Sequence, residues 1–265
     1  MFISIITDCQ DGNARVRQQT RYSVLFPNTA INFVGVSSDL EAAGNLIDVL
    51  DAAGDAEGII AVNVAPRHGR AKKWANGTPF GYFWYRKILI VCTIDGEVLS
   101  LMKKLGLGDH VNVTDIRQVL PLGDYSEAAV EFAATSQFRS FDYLPRLARI
   151  AWDKREVPAN KLAFTDIIDA ATGVWWIDSF GNCKTTLLPA DVQFEHGAKR
   201  AISLHGVDIT ATCYNYLRDV PDAETGLILG SSGYGQERFL ELVIQGKSAA
   251  AYYHITQKDT FKVSA

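Results

Sequence analysis

The sequence predicts an α/β N-terminal domain, with a mostly parallel sheet flanked by helices, followed by an all-β C-terminal barrel or sandwich domain. Three observations predict this. In the first half, β-branched runs alternate with helix-like segments, the pattern of a sheet covered on both faces. Beyond Pro158 the alternation stops, and short apolar runs follow one another between Gly-containing turns. The chain has 265 residues, 48% of them apolar, enough for two domains of ordinary size, each with its own core.

Taken in order, Phe2 to Thr7 is a β-branched strand ending at Asp8. The polar stretch Gln10 to Gln19 leads into a helix running through Leu25, and Pro27 and Asn28 break it. Ala30 to Val36 is the next strand. Ser37, Ser38 and Asp39, followed by Glu41, open a helix, because their side-chain oxygens can accept its unpaired N–H groups. That helix, Leu40 to Ala53, carries Leu40, Ala43, Leu46, Ile47 and Leu50 on one face, and Gly54 ends it. Ile59 to Ala65 is a third strand, Tyr82 to Ile94 one long apolar strand, and Val98 to Leu105 a short helix. Glu127 to Ala134 and Tyr143 to Trp152 read as helices. Lys154 to Ala159 is charged and contains Pro158, so the predicted domains are 1–157 and 158–265. Strands follow at Val174 to Leu188, Arg200 to Leu217, Leu227 to Leu229, Phe239 to Ile244, Ala250 to Ile255 and Thr260 to Val263.

The net charge is -4, which argues against a nucleic-acid partner. No apolar run approaches the ~20 residues of a membrane span, and the N-terminus lacks the basic flank of a signal peptide. The cysteines, Cys9, Cys92, Cys183 and Cys213, form no close pair, and the histidines are scattered. Free thiols in a cytoplasmic protein are expected, and no metal site.

Three stretches could carry chemistry. Thr7-Asp8-Cys9-Gln10-Asp11-Gly12-Asn13 places a carboxylate, a pure acceptor, at a strand end, where ligands of parallel sheets bind and where it could meet a ribose diol. A helix cap or a solvated turn fits the same residues. Asp178-Ser179-Phe180-Gly181-Asn182 could stack a ring on Phe180 and pair polar edges with Asp178 and Asn182, or be a plain β-turn. Gly230-Ser231-Ser232-Gly233-Tyr234 lets backbone groups approach a planar base. Gly246-Lys247-Ser248 lacks the surroundings of a phosphate-binding loop and reads as a turn.

In this order the stretches resemble the S-adenosylmethionine hydroxide adenosyltransferase, chlorinase and fluorinase family. Thr7-Asp8 matches the family's opening strand and turn, and Asp95-Gly96 stands for its Asn-Gly. Asp178 to Leu187 meets its Asp-x-Phe-Gly-Asn-x-x-Thr-Asn-Ile pattern except at Thr186 and Leu187, and Ser231 to Tyr234 meets its Ser/Asn-x-Gly-Tyr turn. The resemblance spans nearly the whole chain. It implies a homotrimer with sites between subunits and S-adenosylmethionine, or adenosine, as ligand, with no separate cofactor. The ribose would lie on Asp8, with Asn13 of the same turn nearby. Asp178, Ser231 and Ser232 would hold the amino-acid part, with Tyr234 beside them, and Phe180, Asn182 and Tyr216 would surround the adenine. A nucleophile would attack the carbon attached to sulfonium and expel methionine.

The hydrolytic members use an Asp-Arg-His set, which is not intact here. Ala65 replaces the acid, with Asn63 the nearest polar residue, and Lys72 stands near the expected Arg. The loop expected to carry the His reads Phe138-Arg139-Ser140-Phe141-Asp142. Ser140 aligns with a serine that contacts halide in the halogenating members. The substitute catalytic set is therefore Asn63, His68, Lys72, Arg139 and Ser140, with His68 able to supply a base or to be a solvated loop histidine. Three activities remain open: hydrolysis of S-adenosylmethionine to adenosine and methionine, ligand binding without catalysis, and use of another nucleophile on the same scaffold.

Overall fold

The structure, a computed structural model, describes residues 1–64, 78–153 and 157–264. The chain divides into two compact units, Met1–Asp169 and Ala170–Ala265. In the first, the elements run β1 (Phe2–Thr7), α1 (Gly12–Leu25), β2 (Ala30–Gly35), α2 (Asp39–Ala53), β3 (Gly58–Asn63), β4 (Phe80–Tyr85) and β5 (Ile88–Thr93). Then come α3 (Ser100–Lys104), β6 (His110–Thr114), α4 (Ile116–Val119), α5 (Glu127–Thr135), α6 (Arg139–Asp142), α7 (Leu144–Trp152) and β7 (Ala159–Ala163).

The seven strands form one sheet in the order β2-β1-β3-β5-β4-β6-β7. It corrects the expectation of a mostly parallel sheet. The pairings β1–β2, β1–β3 and β3–β5 are parallel, while β5–β4, β4–β6 and β6–β7 are antiparallel, so the sheet is mixed. The cause is a hairpin inside what reads as one long strand. Arg86 takes a left-handed φ of 53°, which turns the chain back between Tyr85 and Ile88 and pairs the two halves antiparallel. No Gly, Pro or Asn marks that turn.

Helices pack against the sheet from α1, α2 and α7. Asp11 accepts the Asn13 and Ala14 N–H groups at the head of α1, and Ser38 accepts that of Glu41 at the head of α2. Only Ala14, Gln18 and Tyr22 of α1 are buried, a stripe at i, i+4 and i+8. One core joins Ile3, Ile5, Ile59, Ala61, Leu89 and Val91 of the sheet to Tyr22 and Phe26 and to Leu144, Leu147 and Ala148 of α7.

The second unit holds β8 (Val174–Ile177), β9 (Cys183–Thr185), β10 (Lys199–Leu204), β11 (Val207–Tyr214), β12 (Thr225–Tyr234), β13 (Glu237–Ile244), α8 (Ala249–Tyr253) and β14 (Lys262–Ser264). It too departs from expectation. Its strands make one sheet, β14-β10-β11-β12-β13-β9-β8, antiparallel except for β11–β12, and not a two-sheet sandwich. The sheet curls as a half-barrel, and a bridge from Gly173 to Thr260 ties the chain beside its two edge strands. Arg200 to Leu217 is a hairpin turned by His205 (φ 51) and Gly206 (φ 77). Ala250 to Ile255, read as a strand, begins instead in α8, which Ser248 caps through the Ala251 N–H.

Candidate functional site

In the first unit the chain passes from β1 outward to β2, then crosses back to place β3 on the other side of β1. This reversal opens a crevice beyond the carboxyl ends of β1 and β3, where ligands of such sheets bind. Asp8 and Asn63 stand there. The Asp8 N–H donates to the Asn63 carbonyl at 3.2 Å. The Asn63 amide, 6% exposed, donates to the Thr7 hydroxyl at 3.2 Å, and that hydroxyl also accepts the Cys9 N–H at 3.1 Å. Asn63 is thereby fixed as an orienting group.

Strand register extends this crevice into a row. Thr7 lies level with Asn63, Thr93 with Phe80, and Phe80 with Thr114, while Val62 pairs with Cys92 and so sets Asn63 beside Thr93. Thr7, Asn63, Thr93 and Thr114 are all buried. Hydroxyls and an amide therefore take over from apolar side chains at this end of the sheet.

Arg139 and Ser140 come to this same end. The Arg139 guanidinium carbon sits 5.4 Å from the Phe80 ring centre. One turn on, the Tyr143 hydroxyl donates to Thr114 at 2.7 Å, and Thr114 donates to the Phe80 carbonyl at 2.9 Å. Burial lowers the Arg139 pKa from its ordinary value. Asn13 is exposed at the start of α1, where its backbone N–H meets Asp11. His68 and Lys72 lie outside the described residues.

In the second unit, Asp178 organises its own turn. One carboxylate oxygen accepts the Phe180 N–H at 2.8 Å and the Asn182 N–H at 2.9 Å, and the other accepts the Asn182 side-chain amide at 2.9 Å. Gly181 has φ +83, and a Cβ there would overlap Ser248 Oγ. The turn holds Phe180 outward, 77% exposed. Tyr216 is also exposed, with the Arg218 guanidinium 4.7 Å from its ring centre.

Ser231 and Ser232 lie in a register shift of β12 between Leu229 and Gly233, a bulge where a turn was expected. Glu241, buried, accepts the Ser231 N–H at 3.1 Å. Lys184 donates to the Ser232 hydroxyl at 2.5 Å, with its ammonium 5.5 Å from the Trp175 ring centre. Tyr234 ends β12 opposite Glu237. The bulge and the Asp178 turn occupy different levels of the sheet, since Cys183, next to Asn182, is level with Leu242 and Leu227. Sequence reasoning missed Lys184 and Glu241, which only register brings face to face, and Gln18 and Thr78, buried polar residues. The one available signal was at Gln18, which shares a helical face with Ala14 and Tyr22.

Among the described residues no His, Cys, Asp and Glu group could hold a metal ion, and no helix is long and apolar enough to cross a membrane.

No family profile and no curated protein matches the chain. Solved structures do. An uncharacterized conserved protein from Thermotoga maritima is similar over 100% of both chains, with a TM-score of 0.69 and 14% identity. A conserved hypothetical protein from Thermus thermophilus is similar over 99% of this chain and 98% of its own, with a TM-score of 0.62 and 16% identity. At such identities the likeness establishes a shared fold.

Proposed function

We propose that this protein binds the adenosyl group of S-adenosylmethionine and transfers it to water, releasing adenosine and methionine. The observation that carries the reading is the Asp178 turn. An aromatic ring exposed to water by a turn tied down at both carboxylate oxygens is a preformed stacking platform. Asp8, beyond the end of β1, is a pure acceptor suited to a ribose diol. In the reaction a water oxygen bonds to the 5′ carbon, the carbon–sulfur bond breaks with its electron pair going to sulfur, and the water's proton passes to solvent. Methionine leaves readily because the sulfonium becomes a neutral thioether. The resemblance adds a homotrimer, and the four free cysteines fit a cytoplasmic location.

Calorimetry with S-adenosylmethionine and adenosine tests the binding, and chromatography of adenosine and methionine tests the reaction. Loss of base stacking in Phe180→Ala is expected to weaken binding by about 10- to 100-fold. If neither compound binds at millimolar concentration, the reading fails. Binding without product would leave a nucleoside-binding protein and remove the hydrolysis. Sedimentation analysis checks the trimer.

A further inference from the structure

Arginines of the first unit fall into two groups: Arg15, Arg17 and Arg146, like Arg139, lie over aromatic rings, while three others pair with acids. Arg117 forks onto the Glu131 carboxylate at 2.9 and 3.1 Å. Arg149 forks onto Asp153 at 2.7 and 3.1 Å and donates to the Leu25 carbonyl. Arg21 faces Asp142 at 3.8 Å. All three are partly solvated, and each has an acid.

Arg139 is half-buried and has none among the described residues. The nearest acid along its helix, Asp142, is taken by the Ser136 hydroxyl at 2.7 Å and by Arg21. Asp115, beyond Thr114, accepts the Arg117 and Gln118 N–H groups. Phe80 covers one flat face of the guanidinium, leaving its edge of N–H donors unused. Two hydroxyl residues adjoin Arg139 and Phe80 along the chain. Thr78, two residues before Phe80, is 4% exposed with its Oγ1 buried and unbonded, and Ser140 follows Arg139 in α6. A half-buried cation without a counter-charge carries part of the cost of desolvation, and a buried hydroxyl without a partner is costly too. One anion carrying two or more oxygens would answer both, with Ser140 placed to add a further donor.

We propose that Arg139, with Ser140 and Thr78, forms a binding site for a small oxyanion at the end of the first unit's sheet. The guanidinium edge would take two oxygens side by side, and the hydroxyls would donate to what remains of the oxygen surface. The lowered pKa of Arg139 agrees, since no anion offsets its burial. Arg139 and Ser140 also belong to the catalytic set that the resemblance implies, but the inference is argued from their contacts alone and its test contains no nucleoside.

The test is thermal unfolding and calorimetry of the full chain with sodium acetate, phosphate, sulfate and chloride at constant ionic strength. A saturable stabilisation by acetate above chloride assigns a carboxylate ligand. The same response to phosphate or sulfate assigns a tetrahedral oxyanion. Arg139→Gln is expected to weaken the effective anion by about tenfold or more, and Arg139→Lys to lose the preference over chloride while keeping weak binding. Ser140→Ala and Thr78→Val are each expected to weaken it less. Equal responses to all four salts, or an unchanged response in Arg139→Gln, overturn the proposal. Should Arg139→Gln fail to fold, unchanged affinity in both hydroxyl variants overturns it instead.

Discussion

In the second unit the charged group of the candidate site, Asp178, has both oxygens engaged by its own turn, whereas in the first unit Arg139 lies half-buried with no acid beside it among the described residues. The carboxylate is spent on structure. Its part in recognition is indirect, through the placement of Phe180 and Asn182. The guanidinium packs on Phe80 and is left with donors to offer. A charged residue in a candidate site can thus build the site or wait for a ligand, and the difference is read from its hydrogen bonds.

That comparison makes ordered predictions. Gly181→Ala should be the most damaging, since it forces a side chain into the left-handed region and against Ser248. Urea unfolding should record a loss of about 2–3 kcal/mol. Phe180→Ala, one residue away, should change stability by less than about 0.5 kcal/mol because its ring is exposed. Equal losses would erase the distinction between framework and platform.

Tyr22→Phe should raise stability by about 1 kcal/mol, since the Tyr22 hydroxyl is buried without a partner among the described residues. A loss on the same denaturation curve would mean that the hydroxyl is satisfied in solution.

Arg149→Gln should cost up to about 1 kcal/mol for a partly exposed forked pair. Arg139→Gln in the absence of added oxyanion should cost nothing or stabilise. If Arg139→Gln proves the more damaging, Arg139 is structural and the contrast with Asp178 disappears.

Thiol labelling separates the units more finely. Burial pushes Cys92 and Cys183 up to about 12 and raises Cys213, so only half-buried Cys9 should react quickly with a disulfide reagent near pH ~8.

The smallest effect is on acid stability. At Asp259, burial works to raise the pKa, but hydrogen bonds from Thr256 and His205 outweigh it and hold the carboxyl below its ordinary range. Its contribution is therefore present above the usual carboxylate value of about 3.9 and is lost as pH falls through the lowered one. Asp259→Asn should flatten that acid limb of a stability-against-pH curve while leaving the first unit's transition in place.

Much of the first unit was legible. The caps at Asp11 and Ser38, the apolar stripe of α2 and the position of Asp8 at a strand end all follow from local chemistry. The mixed character of the sheet was not, because Arg86 carries no local turn signal. In the second unit the Asp178 turn was legible as Asp, Gly and Asn in close order. The bulge at Ser231 to Gly233 was not, because a bulge depends on what the partner strand does.

By itself the sequence determined where most strands and helices begin, which stripes are apolar and which short stretches can turn, since these depend on neighbours within a few residues. Tertiary structure alone decided that Asn63 orients Thr7, that Lys184 reaches Ser232 and that Arg139 rests on Phe80 without an acid. Each of those pairings joins residues far apart along the chain, and strand order, which no local pattern encodes, sets which of them meet.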